Sequence, residues 1–369
     1  MKIRKVVVTG APNFIYRYQF LLKAIASHYE HLEYLPCGER FYSSPFANTI
    51  AELVYKIIYK FSLSTADRLF QKNQRAYIAK SRQAEQKIGK LKFTPDLVFQ
   101  IFGMFSPFWE RSDIPYAMYL DYTMALAIKN WSPWAPFKNS QEREAWLECE
   151  RQTYQKAFHI FPMSNVVKSS LIEDYGVEHQ KITVVGSSGN FPEPYTGEKL
   201  FGSKQILFNG SDWERKGGDL VVEAFKQVKK VIPEAKLVII GKKVNKRGEG
   251  INNPGKIRSL SELHDLFLKS DLVVAPSYCE PFQEFLLEAM NYGVPCIVSD
   301  RDGMPEIVDQ EINGMIIEQL TPEALAKNIV TLLNNPERLA CMSEAARQKI
   351  KTKFNWNSIA EKIVEVLGR

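Results

Sequence analysis

The sequence predicts an α/β protein of two doubly wound, Rossmann-like domains facing each other across a cleft, and three observations carry that expectation. Short apolar runs alternate with stretches of helical periodicity from one end of the chain to the other, the pattern of successive βαβ units. Most of the runs are continuously apolar, as strands buried on both faces of a parallel sheet are. A stretch rich in Gly, Ser and Pro at 186–203 interrupts the alternation, which then restarts, and 369 residues suffice for two cores. Ligands of such sheets bind beyond the carboxyl ends of the strands, so the cleft between the domains is the expected site.

The run 6–9, with Val6, Val7 and Val8, reads as the first strand; it is too short for the apolar core of a signal peptide. A helix is expected over 15–28 and a second strand over 32–36. An amphipathic helix should cover 46–61, and further strands fall at 97–101, 116–120, 158–162 and 182–185. The first domain then spans 1–190, a linker 191–203, and the second domain 204–352. Within the second, strands at 205–209 and 236–240 flank a helix at 219–231, and strands at 272–275, 295–299 and 314–317 follow. Helices over 322–333 and 336–367 close the chain, and the last residues, 353–369, are expected to cross back to the first domain.

Several function classes fall away. Gly10-Ala11-Pro12 after the first strand is not G-x-G-x-x-G, and neither a P-loop nor a G-x-S-x-G elbow occurs. The five cysteines are scattered without a C-x-x-C, which supports neither disulfides nor zinc and fits a reducing cytoplasm. His28 and His31 lack a second pair that would complete a metal site. No apolar run approaches the roughly 18–20 residues that span a bilayer.

Two segments of the second half carry chemistry. After the strand 272–275 the chain reads PSYCEPFQEFLLEAMNYGVPCIVSD, with Glu280 in a loop and Glu288 about one turn inside a helix that begins near Gln283. The N–H groups at that helix start make an anion site, and carboxylates on either side of a bound diphosphate can take hydroxyl groups. The alternative is a capping Glu280 and a solvated Glu288. The strand 205–209 leads into NGSDWERKGGDLVVEAF, where Gly210 ends the strand and Arg215 and Lys216 precede Gly217-Gly218. Arg as a fork and Lys as a point charge can neutralise phosphates there; a solvated basic loop is the alternative.

Taken together, residues 205–356 resemble the family-four (group 1) glycosyltransferases of the GT-B fold, in order and spacing. The matching features are the R-K-G segment before a helix, Ala275-Pro276-Ser277, the E-x7-E pair Glu280 and Glu288, E-A-M-x-x-G-x-P up to Pro295, P-E-I-V at 305–308, and Gly314. The resemblance implies transfer of a hexose from a nucleotide-diphosphate sugar to an acceptor hydroxyl with retention of configuration and without a metal cofactor. It implies that Glu280 takes sugar hydroxyls near C3 and C4, and that Phe282, Gln283, Glu284 and Phe285 offer backbone amides to sugar and phosphate. Glu288 would take the ribose, Arg215 and Lys216 the diphosphate beside Gly210, and the loop at Ile257 and Arg258 the nucleobase. Asp121 stands after the strand 116–120, where the family often has a His facing the donor sugar; it would bind the C6 hydroxyl or steer the acceptor, and a turn-forming Asp is the alternative.

The chain departs from the family pattern at Pro281, at Gln283 and at Asp302-Gly303, each in place of a usual glycine or glycine pair, and lacks the N-terminal Gly-Gly loop. Asp300-Arg301-Asp302 imitates the D-x-D of a different, metal-dependent fold, but no metal is expected there. Competing readings are a catalytically inactive nucleotide-sugar or glycan-binding module, a phosphorylase and an epimerase.

The net charge of +6 is local: residues 51–92 hold ten basic and three acidic side chains, so the rest of the chain is near neutral. Nucleic acid is not an expected partner, because the basic residues do not interleave with aromatics across the chain. Phe46, Ile50, Leu53, Val54, Ile57, Ile58 and Phe61 share one helical face, with Lys56 and Lys60 beside it. The ordinary expectation is that this stripe packs on the sheet. The alternative is a peripheral contact with an anionic membrane through 46–92 at its inner face, which would make the acceptor a lipid or lipid-linked glycan.

Overall fold

The structure, a computed structural model, describes residues 3–38, 45–110, 113–245 and 248–368. The chain divides into two compact α/β units: one runs up to Val185 and includes the segment from Ile359 onward, the other is Gly186–Ser358.

The first unit runs β1 (Lys5–Gly10), α1 (Pro12–Arg17), α2 (Gln19–Ala26), β2 (His31–Pro36), α3 (Pro45–Phe61), α4 (Leu63–Phe70) and α5 (Gln74–Ile88). It continues through β3 (Leu97–Ile101), β4 (Tyr116–Leu120), α6 (Met124–Asn130), α7 (Ser140–Lys156), β5 (His159–Pro162) and α8 (Asn165–Glu173). The strands pair in parallel in the order β2-β1-β3-β4-β5. Every residue of β3, β4 and β5 is buried, which is why these strands read as largely apolar runs, broken only by Gln100 and His159. Side-chain caps start the helices: Asn73, Thr123, Asn139 and Ser164 each accept an N–H of the first turn of α5, α6, α7 and α8.

The second unit runs β6 (Gln205–Asn209), α9 (Gly218–Val231), β7 (Lys236–Ile240), β8 (Ile251–Gly255), α10 (Leu260–Lys269), β9 (Leu272–Ala275) and α11 (Glu284–Asn291). Then come β10 (Cys296–Ser299), α12 (Met304–Ile307), β11 (Gly314–Ile317), α13 (Pro322–Leu333), α14 (Pro336–Thr352) and α15 (Trp356–Gly368), the last continuing into the first unit's segment. Its parallel sheet has the order β11-β10-β9-β6-β7-β8, the Rossmann order, which reverses between β6 and β9. One face of that sheet and helices α9, α13 and α14 share a core through Phe208, Val221, Phe225, Leu237, Ile329 and Leu339.

Four expectations need correction. The helix expected over 15–28 is two helices, divided at Tyr18 (φ −97°, ψ 24°), whose buried ring packs edge-on against Phe102 and Tyr119. The segment 182–185 forms one bridge to Ile160 and two hydrogen bonds, from Thr183 N to Ile160 O and from Val185 N to Pro162 O, without becoming a strand. The closing helix 336–367 is interrupted between α14 and α15, where Phe354 turns inward against Phe282 and Asn355 accepts the N–H of Ser358. The amphipathic face of α3 does not pack on the sheet: Phe46 is 77% exposed, Leu53 60%, Ile57 51% and Phe61 87%. Among the described residues no helix is long and apolar enough to cross a membrane.

Candidate active site

The Rossmann order puts the crevice of the second unit where β6 and β9 part, and the chain leaving each strand's carboxyl end supplies its residues. After β6, Gly210 and Ser211 lead to a turn in which Lys216 N–H bonds Asp212 O and Gly218 N–H bonds Trp213 O. Gly217 takes a left-handed conformation (φ 74°), and a Cβ there would lie 2.6 Å from Pro276 O. A Cβ on Gly218 would meet the Trp213 ring at 2.3 Å, so the two glycines let this turn close under the start of α9. Tyr278 N–H donates to Arg215 O at 2.8 Å and ties the loop after β9 to the loop after β6.

That tie brings Arg215, Lys216 and Glu280 together. Arg215 Nη1 donates to Glu280 Oε2 at 2.9 Å and to Cys279 O at 2.7 Å, while its Nε donates to Asp212 Oδ2 at 2.8 Å. Lys216 Nζ reaches the same Glu280 Oε2 at 2.8 Å, and Gln283 Nε2 reaches it at 3.2 Å. All three donors thus use one carboxylate oxygen, and among the described residues Oε1 takes none of these bonds. Arg215, Lys216, Glu280 and Gln283 are each at most 7% exposed. Burial alone would raise the Glu280 carboxyl; Lys216 and Arg215 more than offset it and hold it below the usual carboxylate range. Glu280 in turn keeps Arg215 charged against the effect of its own burial.

Two further residues of this cluster escaped the sequence reading. Asp302 Oδ2 accepts the backbone N–H of Glu280 at 2.7 Å, and Asp302 itself sits at φ 47°. Next to it a Cβ on Gly303 would lie 2.2 Å from Pro281 O, so the 302–303 turn packs directly on the Glu280 loop. Asp212 is the other, at i,i+3 from Arg215, a spacing that could have flagged it. The Gln283 side chain is also a member, with Oε1 buried and unpartnered.

Apart from Gln283, the remaining candidates make none of the cluster's bonds to Glu280. Gln283 is also the residue before α11, which opens without a side-chain cap; Glu284 lies in its first turn and Phe285 packs on Phe267. Phe282 is buried against Phe354. Glu288 Oε1 accepts the N–H of Asn190 at 3.0 Å and lines a small surface depression with Leu260, His264, Phe267 and Tyr292. Arg258 is exposed in the loop before α10, outside the cluster. Among the described residues no group of three or more His, Cys, Asp or Glu converges as a metal site.

In the first unit, Asp121 follows β4 directly and is half-buried. Three residues on, α6 is held by buried groups: Glu150 accepts from Met124 N at 3.2 Å and from the Tyr175 hydroxyl, which also accepts from Ala125 N at 3.0 Å. Burial pushes the Glu150 carboxyl up to about 7, against the hydrogen bond from Tyr175.

Residues 197–349 match the family described as glycosyl transferases group 1. D-inositol 3-phosphate glycosyltransferase of Segniliparus rotundus is 24% identical over 241 residues, covering 58% of this chain and 53% of the relative. The chain spans about half the length of such curated relatives. Among solved structures, the sucrose-phosphate synthase of Thermosynechococcus elongatus aligns over 99% of this chain and 98% of its own with a TM-score of 0.69 at 15% identity. Anabaena HepE in complex with UDP aligns over 98% and 99% with a TM-score of 0.63 at 15% identity. The chain thus has the GT-B fold, and within it residues 197–349, which hold the Arg215-Lys216 and Glu280–Glu288 segments, match the group 1 glycosyl transferases.

Proposed function

We propose that the protein transfers a hexose from a nucleoside-diphosphate sugar to an acceptor hydroxyl, with retention of anomeric configuration and without a metal. One observation carries this reading: three buried donors share a single oxygen of Glu280 at the β6/β9 crevice, which leaves Oε1 for a ligand hydroxyl. In the proposal Oε1 takes the sugar hydroxyls near C3 and C4. Arg215 and Lys216, beside Gly210, turn part of their charge to the diphosphate, and the backbone of Gln283, Glu284 and Phe285 at the start of α11 adds N–H donors. Glu288 and its depression serve the ribose, the loop of Arg258 the base, and Asp121 the C6 hydroxyl or the acceptor.

The acceptor oxygen attacks C1 on the face from which the diphosphate departs. The C1–O bond to diphosphate breaks as the new C1–O bond forms, and the acceptor proton passes to the departing diphosphate oxygen. The protein's share is positioning and stabilisation of the charge growing on that oxygen. HepE is described in complex with UDP and with UDP-glucose, which favours a nucleotide sugar as donor here. We further propose a lipid or lipid-linked glycan as acceptor and association with a membrane surface, on the ground of α3.

Calorimetric titration with UDP, GDP, ADP and their hexose conjugates in EDTA tests the donor site. Binding of one nucleotide family, with sugar release by the wild type and at least about a hundredfold slower release by Lys216→Ala, is the expected result. Binding without turnover for any acceptor tried would mean a binding module instead.

A further inference from the structure

We infer that α3 is a docking helix for an anionic lipid surface, its outward face entering the headgroup region while two lysines contact phosphate. The inference deepens the acceptor part of the proposed function and needs no part of the donor site. Phe46, Ile50, Leu53, Val54, Ile57 and Phe61 recur at i, i+4, i+7, i+8, i+11 and i+15, and every one of them is at least 38% exposed. The opposite side of the helix is the one that packs. Ala51 and Asn48 are buried there, and Tyr55 holds α4 through its hydroxyl on Asp67 at 3.1 Å and its ring on Phe70. Thus α3 is fixed along its back and presents a continuous apolar face outward. Leu63, at the start of α4, is also 52% exposed.

Charge selects the occupant. At about 100° per residue, Lys56 and Lys60 fall along one edge of the apolar stripe, and both are exposed. The acidic residue of α3, Glu52, lies beyond that edge on the flank away from the apolar face and accepts from Asn48 Nδ2 at 2.6 Å. Much of the basic run that follows is used internally, which narrows the contact from 46–92 to α3 and the start of α4. Lys72 donates to Trp134 O, Arg68 and Arg82 pair with Glu142 and Glu110, Lys87 donates to Pro36 O, and Lys80 is buried. An apolar face with a cationic border and no acidic one complements an interface of acyl chains under phosphate headgroups.

Cosedimentation of the full chain with phosphatidylcholine vesicles, with and without phosphatidylglycerol, tests the inference. Binding to the anionic vesicles is expected, weaker by about tenfold or more on neutral ones and in high salt. Ile57→Glu combined with Phe61→Glu should lower binding at least about tenfold. Lys56→Ala with Lys60→Ala should lower it by about tenfold and remove the salt dependence. These side chains are all exposed, so unchanged circular dichroism and nucleotide binding will separate lost docking from lost folding. Equal binding to neutral and anionic vesicles, or none to either from a monomer, overturns the inference. So does a dimer in sedimentation analysis that the Glu pair dissociates, which would make a second copy the occupant. Vesicle binding without any nucleotide binding would leave the docking intact and refute the donor site alone.

Discussion

Glu280 carries two cations on one oxygen in a site almost closed to water, an arrangement stable only if every charge is compensated. Arg215 has Asp212 and Cys279 O as further partners, whereas Lys216 has Glu280 alone among the bonds of the cluster. Lys216 is therefore the cation freer to follow a diphosphate as negative charge grows on it. Lys216→Ala should lower kcat by about a hundredfold to a thousandfold while nucleotide affinity changes by less than about tenfold, as separate kcat and Kd measurements will reveal. Asp302 acts through the backbone. Asp302→Ala leaves the Glu280 N–H without its acceptor, at a cost of about 1–3 kcal/mol. Asp302→Asn keeps an acceptor oxygen and tolerates φ 47°, so it should melt near the wild type while the Ala variant melts lower with a raised KM for the donor. The motif residues were legible one by one, because R-K-G and E-x7-E have fixed spacing. That Arg215 and Lys216 meet Glu280 across 64 or 65 residues, or that Asp302 holds its N–H across 22, depends on how two loops pack, which spacing does not encode.

The loops after β6 and β9 work as one piece because Gly217, Gly218 and Trp213 let them touch. Gly217→Ala forces a Cβ toward Pro276 O in a left-handed backbone, a strain of about 1–3 kcal/mol that moves Arg215 and Lys216 from Glu280. Its melting temperature should drop by several degrees and its nucleotide binding weaken; Gly202→Ala, strained by its own positive φ but in open space away from the cluster, should lose stability yet bind nucleotide normally. The strands around this site could be read from sequence residue for residue at 205–209, 236–240, 272–275 and 314–317, since the residues buried between two helical layers in their middles are apolar. β8 could not. Its sequence INNPG is an edge strand with alternate residues exposed, a register shift against β7 and a proline that an edge alone accepts. The face of α3 was equally plain as a periodicity, but periodicity states which residues share a face and not what covers them.

Two parallel sheets of different strand order lie on one chain, and the βαβ alternation that announced them is local, while the orders are not. The neutral groups buried in the first unit give its stability a pH dependence that can be worked out. Glu150, raised to about 7 by burial, binds its proton more tightly folded than unfolded, so its contribution is complete below about 4.5 and lost as pH rises through 7. His159, lowered to about 4 by burial and bonded to Thr183 Oγ1, binds its proton less tightly folded. Its contribution is present above 6.5 and lost as pH falls toward 4. Each effect is on the order of 3 kcal/mol at most, and less for His159 to the extent that solvent screens it. Between pH 4.5 and 6.5 the two slopes oppose each other, so the wild-type melting temperature should be nearly flat there and fall from 6.5 to 7. Glu150→Gln keeps the acceptor for Met124 N and removes one slope, so its melting temperature should rise with pH across that window. His159→Asn removes the other, so its melting temperature should fall across the same window. Calorimetric scans of the three proteins at half-unit steps decide it, and parallel curves would mean that neither group titrates differently on folding.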